Sequence, residues 1–221
     1  ASRDVSFSSG AGEAVGMFGL AGSGRTDLAR ALSGATPADA GEIWIAGEKV
    51  RVATPRDAVR NGIAFVTEDR KRDGLALDLD LIDNAGLATM GDVARFGVLD
   101  RRRRTAIVSA RLDGLAVRPR GTFRLVRQLS GGNQQKVVLA KWLLVNGTRI
   151  FILDEPTRGV DIATKVEIYR MVAELAEAGL AILLISSELP EILGMSDRVL
   201  VMRGGSLVAD LPRAEMSMET V

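Results

Sequence analysis

Residues Gly12–Leu32 read GEAVGMFGLAGSGRTDLARAL. The segment opens on a short apolar run, passes through closely spaced glycines and continues from Arg25 into Arg25-Thr26-Asp27-Leu28-Ala29-Arg30-Ala31-Leu32. That order predicts strand, glycine loop, helix. Within it, Gly19-Leu20-Ala21-Gly22-Ser23-Gly24-Arg25-Thr26 fits the pattern G-x-x-x-x-G-[K/R]-[S/T] in the required place, after a strand and opening a helix. Glycines let backbone N–H groups turn toward phosphate oxygens, and the start of the helix adds about +0.5 of partial charge. The candidate phosphate-binding residues are Gly19, Gly22, Ser23, Gly24, Arg25, Thr26 and Asp27, with the Thr26 hydroxyl placed for Mg²⁺. Arg25 is a departure. It stands where such loops carry Lys, and a planar guanidinium does not act as the compact point charge that reaches between phosphates. The expectation is that binding survives and transition-state positioning suffers.

The rest of the chain supplies a setting for this loop. Gly41 to Val52 reads as a small antiparallel hairpin turning at Ala46-Gly47-Glu48. Ile63–Val66, Ile150–Leu153, Ala181–Ile185 and Val199–Met202 read as short apolar strands, and Glu68–Asp73 as a charged loop. Ser130–Val145 and Ala163–Ala178 read as amphipathic helices closed by Asn146-Gly147 and Gly179. From about Leu75 to Gln128 the pattern is helix-like with no clear strand. Short apolar strands alternating with helices predict an α/β domain with a mostly parallel sheet covered on both faces.

Composition narrows the chemistry. The 221 residues include neither Cys nor His, which excludes disulfides, thiolate nucleophiles, imidazole metal sites and every triad that needs an imidazole. Chemistry must run on carboxylates, hydroxyls, amides and cations. With 29 basic and 28 acidic residues, nothing global draws a polyanion, so phosphate binding has to be local. Apolar runs stay near five residues, far below the roughly 18 of a membrane-spanning helix, and no signal-peptide pattern opens the chain. The sequence starts at Ala1 on residues that read as strand and stops without an evident terminus, so it is expected to be a piece of a longer chain.

Two further segments complete a site. Ile150-Phe151-Ile152-Leu153-Asp154-Glu155 is an apolar strand ending in two carboxylates, which brings Asp154 to Mg²⁺ at the edge of a nucleotide site and Glu155 to where an attacking water is polarised. Alone this is a weak signal, because acidic residues commonly end strands. Leu129-Ser130-Gly131-Gly132-Asn133-Gln134-Gln135-Lys136 reads as a Ser-capped helix start with two unshielded glycines, a second anion site.

With these segments in view the chain resembles the ATPases of ABC transporters, in which this signature from one cassette closes over ATP held by the phosphate loop of another. More narrowly, GLAGSGRTDL, VTEDRKRDGL, LSGGNQQK, LDEPTRGVD and SSELPEILGMSDRVLVM resemble the second, C-terminal cassette of the double-cassette ATPases of bacterial ribose, galactose and xylose importers. The resemblance implies a P-loop NTPase of the ABC nucleotide-binding type spanning 1–221. Its mostly parallel sheet core would carry a small antiparallel β-subdomain and an inserted α-helical subdomain over about 75–145. It implies ATP and Mg²⁺ as ligands. Another cassette, membrane permease subunits and, indirectly, a sugar-binding protein are the implied partners, at the cytoplasmic face of the bacterial inner membrane. Ser130, Gly131, Gly132 and Gln134 become the signature residues facing a partner's nucleotide, and Asp161 matches the loop that communicates across the cassette interface, while also fitting an N-cap.

The resemblance also exposes departures. Glu68 replaces the glutamine that touches Mg²⁺ and the attacking water, and a carboxylate there can still ligate Mg²⁺ beside Thr26 and Asp154 while adding negative charge. Ser187 falls where active cassettes carry a switch histidine, and its short hydroxyl lacks that reach. The adenine-stacking aromatic is not evident, since Phe7 and Phe18 read as strand core residues. The expectation is a degenerate phosphate site at Arg25, Glu68 and Ser187, joined to an intact signature that acts in trans. Two alternatives stand beside it: a non-hydrolysing regulatory cassette, and a soluble ABC-type ATPase acting on nucleic acid. The second rests on Arg101–Arg104, which reads more simply as a solvated helical face because no aromatic interleaves it.

Overall fold

The computed structural model describes residues 3–95, 98–119, 123–217 and 219. In chain order the elements are β1 Ala14–Gly19, α1 Arg25–Leu32, β2 Ile43–Ile45, β3 Glu48–Val50, α2 Pro55–Arg60, β4 Ile63–Val66 and a π-helical turn Arg70–Gly74. Then come α3 Leu81–Ala85, a 3₁₀ segment Leu87–Val93, β5 Ala94–Arg95, β6 Val98–Leu99, α4 Arg101–Gly114 and α5 Gly131–Leu143. The chain closes with β7 Ile150–Asp154, α6 Ile162–Glu177, β8 Ala181–Ile185, α7 Leu189–Met195, β9 Arg198–Arg203 and β10 Ser206–Pro212. Contacts divide it into two compact units.

The first unit comprises Ala1–Glu68, Gly147–Pro156 and Glu167–Val221. Its sheet runs β10-β9-β1-β8-β7-β4, parallel throughout except for the antiparallel edge strand β10. Parallel strands need both faces covered, and the chain meets that need with unbroken apolar runs: β8 and β4 are buried at every residue. Val15, Met17, Ile152, Leu183, Ile185 and Leu200 form the centre of the core, each side chain contributing roughly 1.5–3 kcal/mol by leaving water. The hairpin β2–β3 forms as expected, with Ala46 and Gly47 both at positive φ in its turn. The order β1-β8-β7 sets the C-terminal ends of three strands side by side, where ligands bind in open α/β sheets.

The second unit comprises Asp69–Asn146 and Thr157–Val166. Here α5 packs against α3 and α4, and α4 packs on α3. Asn84 is buried and ties Ala76, Leu79 and Asp80 together through its side-chain amide, which orders the entry into α3.

Several expectations are corrected. The chain from Arg3 to Glu13 contains no strand, and β1 begins at Ala14, so Phe7 packs on the core from an irregular segment. The charged stretch after Glu68 contains a π-helical turn, capped by the Asp69 carboxylate accepting from the amides of Lys71 and Arg72. The helical region includes the short pair β5–β6. Arg101, Arg102 and Arg103 are solvated, but Arg104 is buried, paired with Asp83 at 2.7 Å and donating to the carbonyls of Ile82 and Asp83. No helix among the described residues is long and apolar enough to cross a membrane.

Candidate functional site

In the first unit, a candidate phosphate loop lies at the head of β1. Gly22 and Gly24 take φ of +78° and +97°, a left-handed geometry that glycine adopts without strain, and this curls the loop before α1. Gly24 is the N-cap of α1 and offers no side chain to cap it, so the amides of the first turn keep their capacity for an anion. The Ser23 hydroxyl is buried and has no hydrogen-bond partner.

Beside the loop, β7 delivers Asp154, which is fully buried, with neither carboxylate oxygen in a hydrogen bond of normal geometry. Burial, with the neighbouring charges of Glu68 and Glu155, raises its carboxyl to about 7, against the Thr26 hydroxyl and the Arg25 charge, which pull it down. Thr26, Glu68 and Asp154 are therefore electrostatic neighbours. Glu155 follows in the left-handed region at φ +49°, held by its amide donating to the Ile185 carbonyl at 2.9 Å. For a non-glycine residue that geometry costs on the order of 1 kcal/mol and aims the side chain out of the strand line.

Arg25 is only 8% exposed. Its guanidinium donates to the Ser186 carbonyl at 2.6 Å and lies 3.8 Å from the Glu155 carboxylate. Ser186, just past β8, is itself fixed: its hydroxyl donates to the buried Glu191 carboxylate and accepts from the Glu188 amide. Ser187, the next residue, is exposed, and so is Asp27 on α1.

Among the described residues no three acidic side chains converge as a ready-made metal cage. The buried Asp154 carboxylate beside a threonine hydroxyl and a second carboxylate nevertheless fits Mg²⁺, which takes a few oxygen ligands from protein and the remainder from phosphates and water.

In the second unit, a separate group of candidate residues lies at the start of α5. Ser130 is its N-cap, accepting from the Asn133 amide at 3.4 Å and from the Asn133 side chain at 2.9 Å. Gly132 has no room for a side chain: a Cβ there would stand 2.6 Å from the Thr164 hydroxyl oxygen. Gln134 is buried, and its side-chain amide donates to the Val126 carbonyl at 3.3 Å, so it shapes the turn from below. Asp161 caps α6, accepting from the Thr164 amide at 2.9 Å and hydroxyl at 2.8 Å, which holds its carboxyl below the usual range. Within this unit Ser130, Gly131 and Gly132 thus share one helix start, and Asp161 reaches that start through Thr164.

Sequence reasoning passed over Ser186, Glu191, Thr164 and Arg70. Only Glu191 carried a signal, as an acidic residue one position after Pro190 in an otherwise apolar helix.

A family model described as ABC transporter matches residues 2–158. The chain belongs to the ABC transporter family. Within that family, it is 45% identical to the ribose import ATP-binding protein RbsA of Bacillus subtilis over 219 residues, which is 99% of this chain and 44% of that protein. It is 48% identical to RbsA 2 of Streptomyces coelicolor, covering 99% of this chain and 42% of that one. A putative ribose/galactose/methyl galactoside import ATP-binding protein of Agrobacterium fabrum is 44% identical, with coverage of 99% and 43%. The chain thus spans less than half the length of these relatives. Among solved structures, a post-hydrolysis dimer of an ATP-binding cassette bound to ADP and Pi matches with a TM-score of 0.81 at 21% identity, covering 96% of this chain and 90% of that one. A nucleotide-free ABC cassette matches equally at 0.81, covering 96% and 85%. These likenesses establish the ABC cassette fold.

Proposed function

We propose that this chain is an ATP-binding cassette of a bacterial monosaccharide importer, binding Mg-ATP and contributing to its hydrolysis to power transport. The observation that carries the reading is the buried Ser23 hydroxyl without a hydrogen-bond partner in an uncapped glycine loop, together with the buried Asp154 carboxylate that has only the Thr26 hydroxyl to draw on. Orphaned buried polar groups are rare, and a phosphate with its cation satisfies both. The relatives named as ribose import ATP-binding proteins extend the reading to sugars.

In this account Gly19, Gly22, Gly24 and the first amides of α1 cradle the phosphates, and Thr26, Asp154 and Glu68 hold Mg²⁺. The ion, when bound, neutralises charge on the β- and γ-phosphates. Glu155 orients and deprotonates water. Ser130 with the Gly131 and Gly132 amides completes the γ-phosphate site of a partner cassette, and 75–145 serves as the helical subdomain. Permease subunits and, indirectly, a sugar-binding protein complete the assembly, with the cassette peripheral on the cytoplasmic face of the inner membrane.

The chain's own phosphate site is slow, because Arg25 is committed to Ser186 and Glu155, Glu68 adds charge, and Ser187 lacks reach. The same Arg25 pairing supports a second reading, a cassette that binds ATP without hydrolysing it. A nucleic-acid function is disfavoured because Arg104 is spent inside the fold, leaving three solvated arginines. Steady-state Mg-ATPase of the purified 221-residue chain over a wide concentration range, with an ATP-binding control, tests the reading. Bound ATP with slow turnover supports it, no binding removes it, and binding with no turnover even beside a competent partner favours the second reading.

A further inference from the structure

Arg70 is the first residue of the π-helical turn, two positions past Glu68. Its guanidinium donates to two successive backbone carbonyls, Arg158 at 2.7 Å and Gly159 at 3.2 Å. Both lie just before Asp161. The same guanidinium lies against the signature: a Cβ added to Gly131 would stand 2.6 Å from its terminal nitrogen and 2.6 Å from the Gly159 carbonyl. On the other side, Gly132 is crowded by Thr164, which Asp161 holds by two hydrogen bonds. The first turn of α5 is therefore wedged between Arg70 at Gly131 and Thr164 at Gly132. The far end of the π-helical turn is fixed as well, since the Gly74 carbonyl accepts from the buried Lys141 ammonium of α5 at 2.7 Å. Burial lowers the Arg70 pKa against the Asp69 charge, which raises it, a cost that a purely solvated surface arginine does not carry.

We propose that Arg70 is a positioning residue for the signature half of the ATP site, locking the Arg158-Gly159 peptide against Gly131 so that Ser130 and the glycine amides are presented to a partner's nucleotide. This rests on the reading of Ser130 as acting on that nucleotide. A rigid fork suits the role. Two adjacent carbonyls are met together by two donors in one plane, which Arg supplies, while a Lys ammonium can hold one of them. Without the fork, both carbonyls turn to water and the turn at Gly131 gains room to drift, and misplacement by about 1 Å costs up to about 100-fold in rate.

The test is ATP turnover against ATP concentration in the intact transporter containing this chain, comparing Arg70→Ala, Arg70→Lys and Ser130→Ala. Arg70→Ala is expected to lower kcat about ten-fold or more, with KM for ATP moved less than about three-fold, because the phosphate loop is untouched. Arg70→Lys recovers part of the loss at unchanged melting temperature. A kcat of Arg70→Ala within about two-fold of the parent overturns the proposal, as does a loss that Lys does not relieve and that follows the melting temperature. If Ser130→Ala is harmless, the underlying reading fails. If Ser130→Ala is inactive while Arg70→Ala is normal, only the role of Arg70 fails.

Discussion

The Arg25 guanidinium donates to the Ser186 carbonyl at 2.6 Å, which ties the phosphate loop to the turn that carries Ser187. In its second contact, Arg25 pairs with Glu155 at 3.8 Å, both side chains being largely buried. A cation expected to serve phosphate is thereby engaged with the carboxylate expected to serve water.

Arg25→Lys replaces the fork by a point charge and releases both partners. ATP turnover by this chain should rise about ten-fold, well inside the range that one electrostatic group supplies in catalysis. Phosphate release at saturating ATP measures it. Turnover at or below the parent level would contradict the assignment of Arg25 as a cause of slowness.

Lys141 titrates low, its ammonium brought down to about 8 from 10.5 by burial. Between these values the unfolded chain holds more protons than the folded one, so stability contributed by this group rises with pH from about 8 toward 10.5 and is lost as pH falls through 8. Melting temperatures of parent and Lys141→Met, taken from pH 7 to 10, should diverge in favour of the parent as pH rises. Parallel curves would mean that the ammonium is not desolvated.

Gly132→Ala drives a methyl to within 2.6 Å of the Thr164 hydroxyl oxygen and 2.8 Å of its methyl carbon. A loss of about 1–3 kcal/mol of stability is expected, read by denaturant unfolding. Adding Thr164→Ser removes that methyl and should recover part of the loss. Full additivity of the two changes would contradict the close approach.

Legibility in the sequence followed the strength of local signals. β1, α1, β4, β8 and the hairpin β2–β3 were readable because apolar runs and glycine turns agree with the fold there. α2 carries a capping box at Thr54 and Asp57 with Pro55 in its first turn, but six residues are too few for periodicity to show. Among the described residues β10 pairs with β9 alone and half-buries alternate residues, so its apolar pattern is thin and Asp210 and Pro212 interrupt it. In the site, the glycine loop, Asp154 and Ser130 were legible from residue type. Arg70, Ser186 and the commitment of Arg25 were not, because they act through backbone carbonyls distant in sequence, which no residue pattern encodes.

A slow phosphate site is expected to stand beside an intact signature in this chain. Sugar uptake by the intact transporter carrying Ser130→Ala, set beside uptake with Glu155→Gln, tests it most directly. Loss of a general base commonly costs ~10²- to 10⁴-fold in the site that uses it, so a slow site has little to lose from Glu155→Gln. Uptake is expected to be nearly abolished by Ser130→Ala and largely retained with Glu155→Gln. Near-normal uptake with Ser130→Ala, or uptake stopped by Glu155→Gln alone, would contradict it.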